Sequence, residues 1–66
     1  MSKTVAKALT ILKQFTPAAG DMGASEVSRL LGMDQVIAYR LLRTLAAEDF
    51  LVQDPSTKKY RLGPGL

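Results

Sequence analysis

Five cations set the chemistry this sequence can do. Between Gln35 and Ala47 the only charged side chains are Arg40 and Arg43; between Pro55 and Leu66 they are Lys58, Lys59 and Arg61. These two acid-free segments flank Glu48, Asp49 and Asp54. Cations grouped in this way suit a polyanion, since phosphates take up their charge and arginine can also bond bidentately to a base edge. Bond-breaking chemistry has far less to draw on. The chain contains no histidine and no cysteine. The usual general base and the thiol nucleophile are therefore missing, and neither catalytic residues, metal ligands nor cofactors are expected. Zinc would find only carboxylates. Of the acidic residues Asp21, Glu26, Asp34, Glu48, Asp49 and Asp54, only Glu48 and Asp49 are adjacent, and that pair reads as a solvated helix end.

The elements that must hold these cations follow from periodicity. With 66 residues and a net charge of +3, the chain suffices for one small domain with a thin core. Apolar residues at Val5, Ala8, Leu9, Leu12 and Phe15 predict a first helix over residues 4–16. Thr4 is its N-cap, and Thr16-Pro17 is its stop. Ile11 falls at the flank of that face, as core edge or as a helix-to-helix dimer contact. Residues 18–23 read as a loop, and Met22 to Ala24 could add a short strand. Ser25 is expected to cap a second helix with Glu26 in its first turn, Val27, Leu30 and Leu31 inward, and Gly32 as a left-handed end.

Asp34 caps the next helix, Gln35 to Ala47. Its buried stripe is Ala38, Leu41, Leu42 and Leu45; Val36, Arg40 and Arg43 lie opposite, flanked by Tyr39 and Thr44. The period then changes. Phe50 to Gln53 and Lys59 to Leu62 read as strands of a hairpin turning at Asp54-Pro55-Ser56-Thr57. Lys59 and Arg61 point one way, Tyr60 and Leu62 the other. Gly63-Pro64-Gly65 reads as the start of a linker covering residues 63–66.

Residues 25–47 fit a helix-turn-helix, with small Ser28 at the crossing, Gly32 in the turn, and Val27, Leu31, Met33, Ala38 and Leu41 bracketing it. The basic hairpin over residues 50–62 makes this a winged variant, a mainly α fold of three helices plus a two- to three-stranded wing. The stretches Ser25-Glu26-Val27-Ser28-Arg29-Leu30-Leu31-Gly32, Tyr39-Arg40-Leu41-Leu42-Arg43-Thr44-Leu45 and Asp54-Pro55-Ser56-Thr57-Lys58-Lys59-Tyr60-Arg61-Leu62-Gly63, with the opening helix, resemble the amino-terminal domain of the IclR family.

The resemblance covers nearly the whole chain. It implies a dimeric or tetrameric bacterial transcription factor whose effector-binding domain lies elsewhere, with Leu66 standing about where the family's linker helix would begin. A small-molecule effector is expected to act only through that other domain. Two positions depart from the family pattern. The recognition helix opens Asp34-Gln35-Val36-Ile37 where the family usually has proline, a basic residue and small hydroxyls. Lys58 stands where the wing turn usually has glycine.

The expected partner is double-stranded DNA, as a near-palindromic operator read by a dimer. Gln35, Val36 and Arg40 are the candidate base readers. Glutamine can pair with adenine, arginine with guanine, and valine can pack on a thymine methyl, though an isolated exposed valine needs no such explanation. Ser25, Tyr39, Arg43, Thr44, Lys58, Lys59 and Arg61 are the candidate phosphate contacts. For Tyr39 the alternative is a role in filling the helix edge. For the wing cations it is keeping an exposed hairpin soluble. A protein-interaction module on the same fold is the rival function. No apolar run approaches the length of a membrane span, and Lys7, Thr10 and Lys13 interrupt what could otherwise resemble an export signal, so the cytoplasm is expected.

Overall fold

The computed structural model of the chain describes residues 2–65. Three helices, α1 (Lys3–Lys13), α2 (Ala24–Leu31) and α3 (Gln35–Ala47), precede two short strands, β1 (Leu51–Gln53) and β2 (Tyr60–Leu62). The strands form an antiparallel hairpin pairing Leu51 with Leu62, Val52 with Arg61 and Gln53 with Tyr60. This is the winged helix architecture. The expected third strand shrinks to one bridge: the Met22 amide donates to the Tyr60 carbonyl (3.0 Å) and the Tyr60 amide to the Met22 carbonyl (2.8 Å). It goes no further because α2 begins at Ala24, which withdraws the following amides into the helix.

Every element sends something into one core. Ile11, Val27, Ala38, Leu42 and Leu51 are its fully enclosed members; Phe15, Met22, Leu41, Leu45 and Tyr60 complete it. The helix-turn-helix is closed by local chemistry. Gly32 takes φ +64°, a left-handed geometry that costs a side-chain-bearing residue about 1–2 kcal/mol. The Ser28 hydroxyl donates to the Met33 carbonyl, while the Met33 amide returns to the Ser28 carbonyl at 3.1 Å. Ser28 is thus small enough for the crossing and also ties the turn together.

The first helix departs most from expectation. Its N-cap is Ser2, whose hydroxyl accepts from the Val5 amide at 3.4 Å, and Thr4 lies inside the helix. It ends at Lys13, before the proline. There the last turn tightens, with Gln14 and Phe15 amides donating to the carbonyls three residues back. Ile11 is the deepest residue of the helix, whereas Val5 and Leu9 are nearly half exposed. Ile11 therefore has no free surface for a helix-to-helix contact. The apolar arc of α1 is broader than the surface it packs on, so spacing alone could not choose which part is buried. In α2 the same effect leaves Leu30 exposed at 57% while Val27 is enclosed and Leu31 packs at the core's margin.

Residues 63–65 do not hang free. The Gly63 amide donates to the Phe50 carbonyl (2.9 Å) and the Gly65 amide to the Asp49 carbonyl (2.7 Å). A Cβ at either glycine would stand 2.6 or 2.7 Å from the Asp49 carbonyl oxygen, so only glycine lets the tail lie against the end of α3. Leu66, the last of the expected linker, lies outside the described residues.

Candidate nucleic-acid interface

Helix α3 carries the site because one side of it is anchored. Ala38, Leu41, Leu42 and Leu45, the stripe expected from spacing, are all buried. The Asp34 carboxylate accepts from the Val36 (2.8 Å) and Ile37 (3.3 Å) amides, satisfying donors the first turn would otherwise leave open. The helix closes with the Phe50 amide reaching back to the Leu45 carbonyl while Asp49 takes φ +66°. Gln35, Val36, Tyr39, Arg40, Arg43 and Thr44 are consequently displayed to solvent.

These displayed side chains differ in how committed they are. Those of Gln35, Val36 and Arg40 make no hydrogen bond or ion pair among the described residues. Arg43 folds back over Tyr39, its Nη1 3.3 Å from the phenol oxygen and its guanidinium carbon 5.7 Å from the ring centroid. The Thr44 hydroxyl donates to the Arg40 carbonyl at 3.0 Å, which leaves its lone pairs outward.

A cleft of about 290 Å³ separates the leading ends of α2 and α3 from the wing, and Ser25, Gln35, Tyr39, Gln53, Lys58 and Lys59 line it. Five residues singled out from the sequence thus share one concavity. Val36 lines an adjoining dip with Gln35 and Tyr39. Arg40, Arg43 and Thr44 follow along α3. Arg61 does not join them: it borders a different depression, with Phe15, Pro17 and Gly20.

The wing turn is built by Asp54. Its Oδ1 accepts from the Ser56 amide (2.8 Å), the Ser56 hydroxyl (2.7 Å) and the Thr57 amide (3.4 Å). The Lys58 amide donates to the Asp54 carbonyl (2.8 Å), and the Gln53 side chain donates to the Lys58 carbonyl (3.0 Å). Lys58 is held by these bonds at φ +66°. The turn thus keeps its left-handed step without the usual glycine. The hydrogen bonds of Ser56, together with those of Thr57 and the Arg61 charge, hold the Asp54 carboxyl below the ordinary carboxylate range.

Glu26 is the residue that sequence reading undervalued. Its Oε1 accepts from the Gly23 amide (2.9 Å), so the cap of α2 is Gly23 and Ser25 sits within the first turn. The same oxygen lies 3.4 Å from Lys59 Nζ. The Gly23 hydrogen bond lowers the Glu26 carboxyl, partial desolvation opposes it, and Lys59 and Arg29 assist. The signal available was the three-residue spacing of Gly23 and Glu26, half of a capping box. Tyr60 was also missed as a lining residue. It is buried against the core yet reaches the cleft, and burial raises its phenol, which stays neutral at ordinary pH.

Among the described residues no cluster of three or more acidic, histidine or cysteine side chains could hold a metal ion. No helix among the described residues is long and apolar enough to cross a membrane.

Comparison with known proteins agrees with this fold. The profile of the IclR helix-turn-helix domain matches residues 4–55. The HTH-type transcriptional regulator XynR of Escherichia coli (strain K12) is 34% identical over 97% of this chain and 25% of its own length. The glycerol operon regulatory protein of Streptomyces griseus is 30% identical over the same shares. Among solved structures, an IclR family transcriptional regulator from Brucella abortus superposes with a TM-score of 0.95 at 29% identity, covering 98% of this chain and 25% of that one. A regulator from Alicyclobacillus acidocaldarius gives 0.88 at 34% identity, covering 97% and 26%. The chain spans about a quarter of the length of the relatives it matches.

Proposed function

Because this chain belongs to the IclR helix-turn-helix family, we propose that residues 1–66 act as one sequence-specific double-stranded DNA-binding domain of a bacterial transcriptional regulator. The observation that carries this reading is the combination of an anchored leucine stripe with an uncommitted outer face on α3, beside a cleft that collects Ser25, Gln35, Tyr39, Lys58 and Lys59.

In this reading α3 enters the major groove. Gln35 and Arg40 bond to base edges, and Val36 packs on a thymine methyl. Ser25, Tyr39, Arg43, Thr44, Lys58 and Lys59 surround the groove and take phosphates. Arg43, stacked on Tyr39, presents both groups to one stretch of backbone. A single domain makes few such contacts. Two of them, on half-sites separated by about a helical turn or a multiple, bind a near-palindromic operator as a homodimer or tetramer in the cytoplasm. The domain binds and does not catalyse.

Fluorescence-anisotropy titration of the chain with random duplex DNA at low salt, followed by selection from a random library, tests this. Salt-sensitive binding with enrichment of a symmetric motif is expected. Absence of binding at high micromolar protein overturns the reading in favour of a protein-docking module.

A further inference from the structure

Arg61 is the wing cation that does not fit a phosphate-contact role. Its Nη2 is 3.0 Å from Asp21 Oδ2 and 3.1 Å from Asp54 Oδ2, so one guanidinium joins two carboxylates forty and seven residues away. The backbone explains the first pairing. The Met22–Tyr60 bridge sets residues 21 and 61 side by side on the flank of β2 away from β1. Arg61 also borders the depression shared with Phe15, Pro17 and Gly20, whereas Lys58 and Lys59 line the cleft beside α3.

Asp54 divides its work between its two oxygens. Oδ1 gathers Ser56 and Thr57 into the turn, and Oδ2 takes Arg61. The turn in its place imposes the left-handed backbone on Lys58. A chain of contacts therefore runs from the α1–α2 loop through Asp21, Arg61 and Asp54 to the one residue of the wing tip whose backbone is unfavourable. If Arg61 is lost, Asp54 keeps its bonds to Ser56 and Thr57, but the wing tip loses its tie to the loop at Asp21, and the turn carrying Lys58 is no longer held in place beside the cleft.

We propose that Arg61 is a positioning residue, which fixes the wing against the loop at Asp21 and so presents Lys58 to a DNA phosphate, and that it makes no phosphate contact itself. This rests on the DNA-binding reading above and deepens it. Exposed ion pairs of this kind add little to global stability, so variants at these positions fold.

The test is a cycle of Lys58→Gln, Arg61→Gln and the double variant, read as the slope of log affinity against log salt on a random duplex. Each phosphate contact carries a slope of about 0.9. Lys58→Gln is expected to reduce the slope by about that amount, Arg61→Gln by up to as much, and the double variant by no more than Lys58→Gln alone. Additive losses, or an Arg61→Gln slope equal to that of the unmodified chain, overturn the proposal. Asp21→Asn supplies an independent arm, because it keeps the cation and removes a negative charge. It is expected to weaken binding and flatten the slope like Arg61→Gln. Tighter binding of Asp21→Asn would make Arg61 a phosphate ligand and sink the inference. Failure of the unmodified chain to bind any duplex would instead remove the DNA-binding reading, so the two failures are distinct.

Discussion

Helix α3 and the wing carry comparable numbers of cations but hold them by different means: Arg43 rests on the Tyr39 ring, whereas Lys59 and Arg61 meet carboxylates. On α3 the protein anchors the element through its leucines and leaves Gln35, Val36 and Arg40 unattached. In the wing the anchor is thin, chiefly Leu51 and Tyr60, and two of the three cations are engaged by carboxylates of the chain itself: Lys59 by Glu26, and Arg61 by Asp21 and Asp54. A helix held on one side is already rigid, so its outer side chains are free for a partner. A short hairpin on a small core has to be oriented by its own charges. The contrast teaches that a count of cations does not separate charge met within the chain, as at Lys59 and Arg61, from charge left open among the described residues, as at Arg40 and Lys58.

The largest expected effect breaks the anchor. Leu42 is completely enclosed, and Leu42→Ala removes buried methyl groups and leaves a cavity, costing about 2–5 kcal/mol. For so small a domain that is most of its stability, and urea denaturation followed by circular dichroism is expected to show a chain largely unfolded without denaturant. A small shift in midpoint would mean that α3 is anchored elsewhere.

Next in size is the contrast between the two regions as readers. Arg40→Ala is expected to cost about 1–3 kcal/mol on the selected operator and far less on random duplex. Lys59→Ala is expected to weaken both equally. Competition titrations with the two duplexes decide it, and equal losses for Arg40→Ala would place that guanidinium on phosphate.

Lys58→Gly sharpens the comparison from the wing side. Removing the side chain at φ +66° relieves left-handed strain worth about 1 kcal/mol, so the denaturation midpoint is expected to rise while DNA affinity falls. An unchanged or lower midpoint would show that the turn accommodates lysine without strain.

The smallest effect is the response to acid. The folded chain holds the Glu26 and Asp54 carboxyls below their ordinary range. Their contribution to stability is therefore complete above that range and is lost as pH falls through it towards the lowered values. The thermal midpoint is expected to be flat from neutral pH to about pH 5 and to decline below. Glu26→Gln, which can keep the Gly23 hydrogen bond, is expected to make the decline shallower.

What the sequence disclosed and what it withheld divide along a physical line. Much within one turn or one period was legible: Asp34 as a cap, Gly32 as a left-handed end, the four-residue stripe of α3, the hairpin turning at Asp54; the caps of α1 and α2 were not, since Ser2 and Gly23 hold the places expected of Thr4 and Ser25. Spacing failed where apolar residues outnumbered the buried surface. That is why spacing puts Ile11 at the margin of α1, where the fold encloses it, and points Val5, Leu9 and Leu30 inward, where the fold exposes them. It failed also for pairings between distant segments. Nothing in the string links Asp21 to Arg61, because the Met22–Tyr60 bridge that aligns them is a product of the folded core. Of the candidate DNA contacts, the shared cleft follows from placing Ser25 and Gln35 at the leading ends of two crossing helices. The separation of Arg61 from that cleft required the tertiary structure.

The glycines behind the hairpin have a mechanical meaning. Residues 63–65 are laced to the carbonyls of Phe50 and Asp49, just past the last turn of α3, with no room for even one methyl group at residue 63 or 65. Two hydrogen bonds and a close backbone fit thus act as a latch that holds residues 63–65 down on the end of α3, and a methyl added by Gly65→Ala would prise residue 65 off the Asp49 carbonyl.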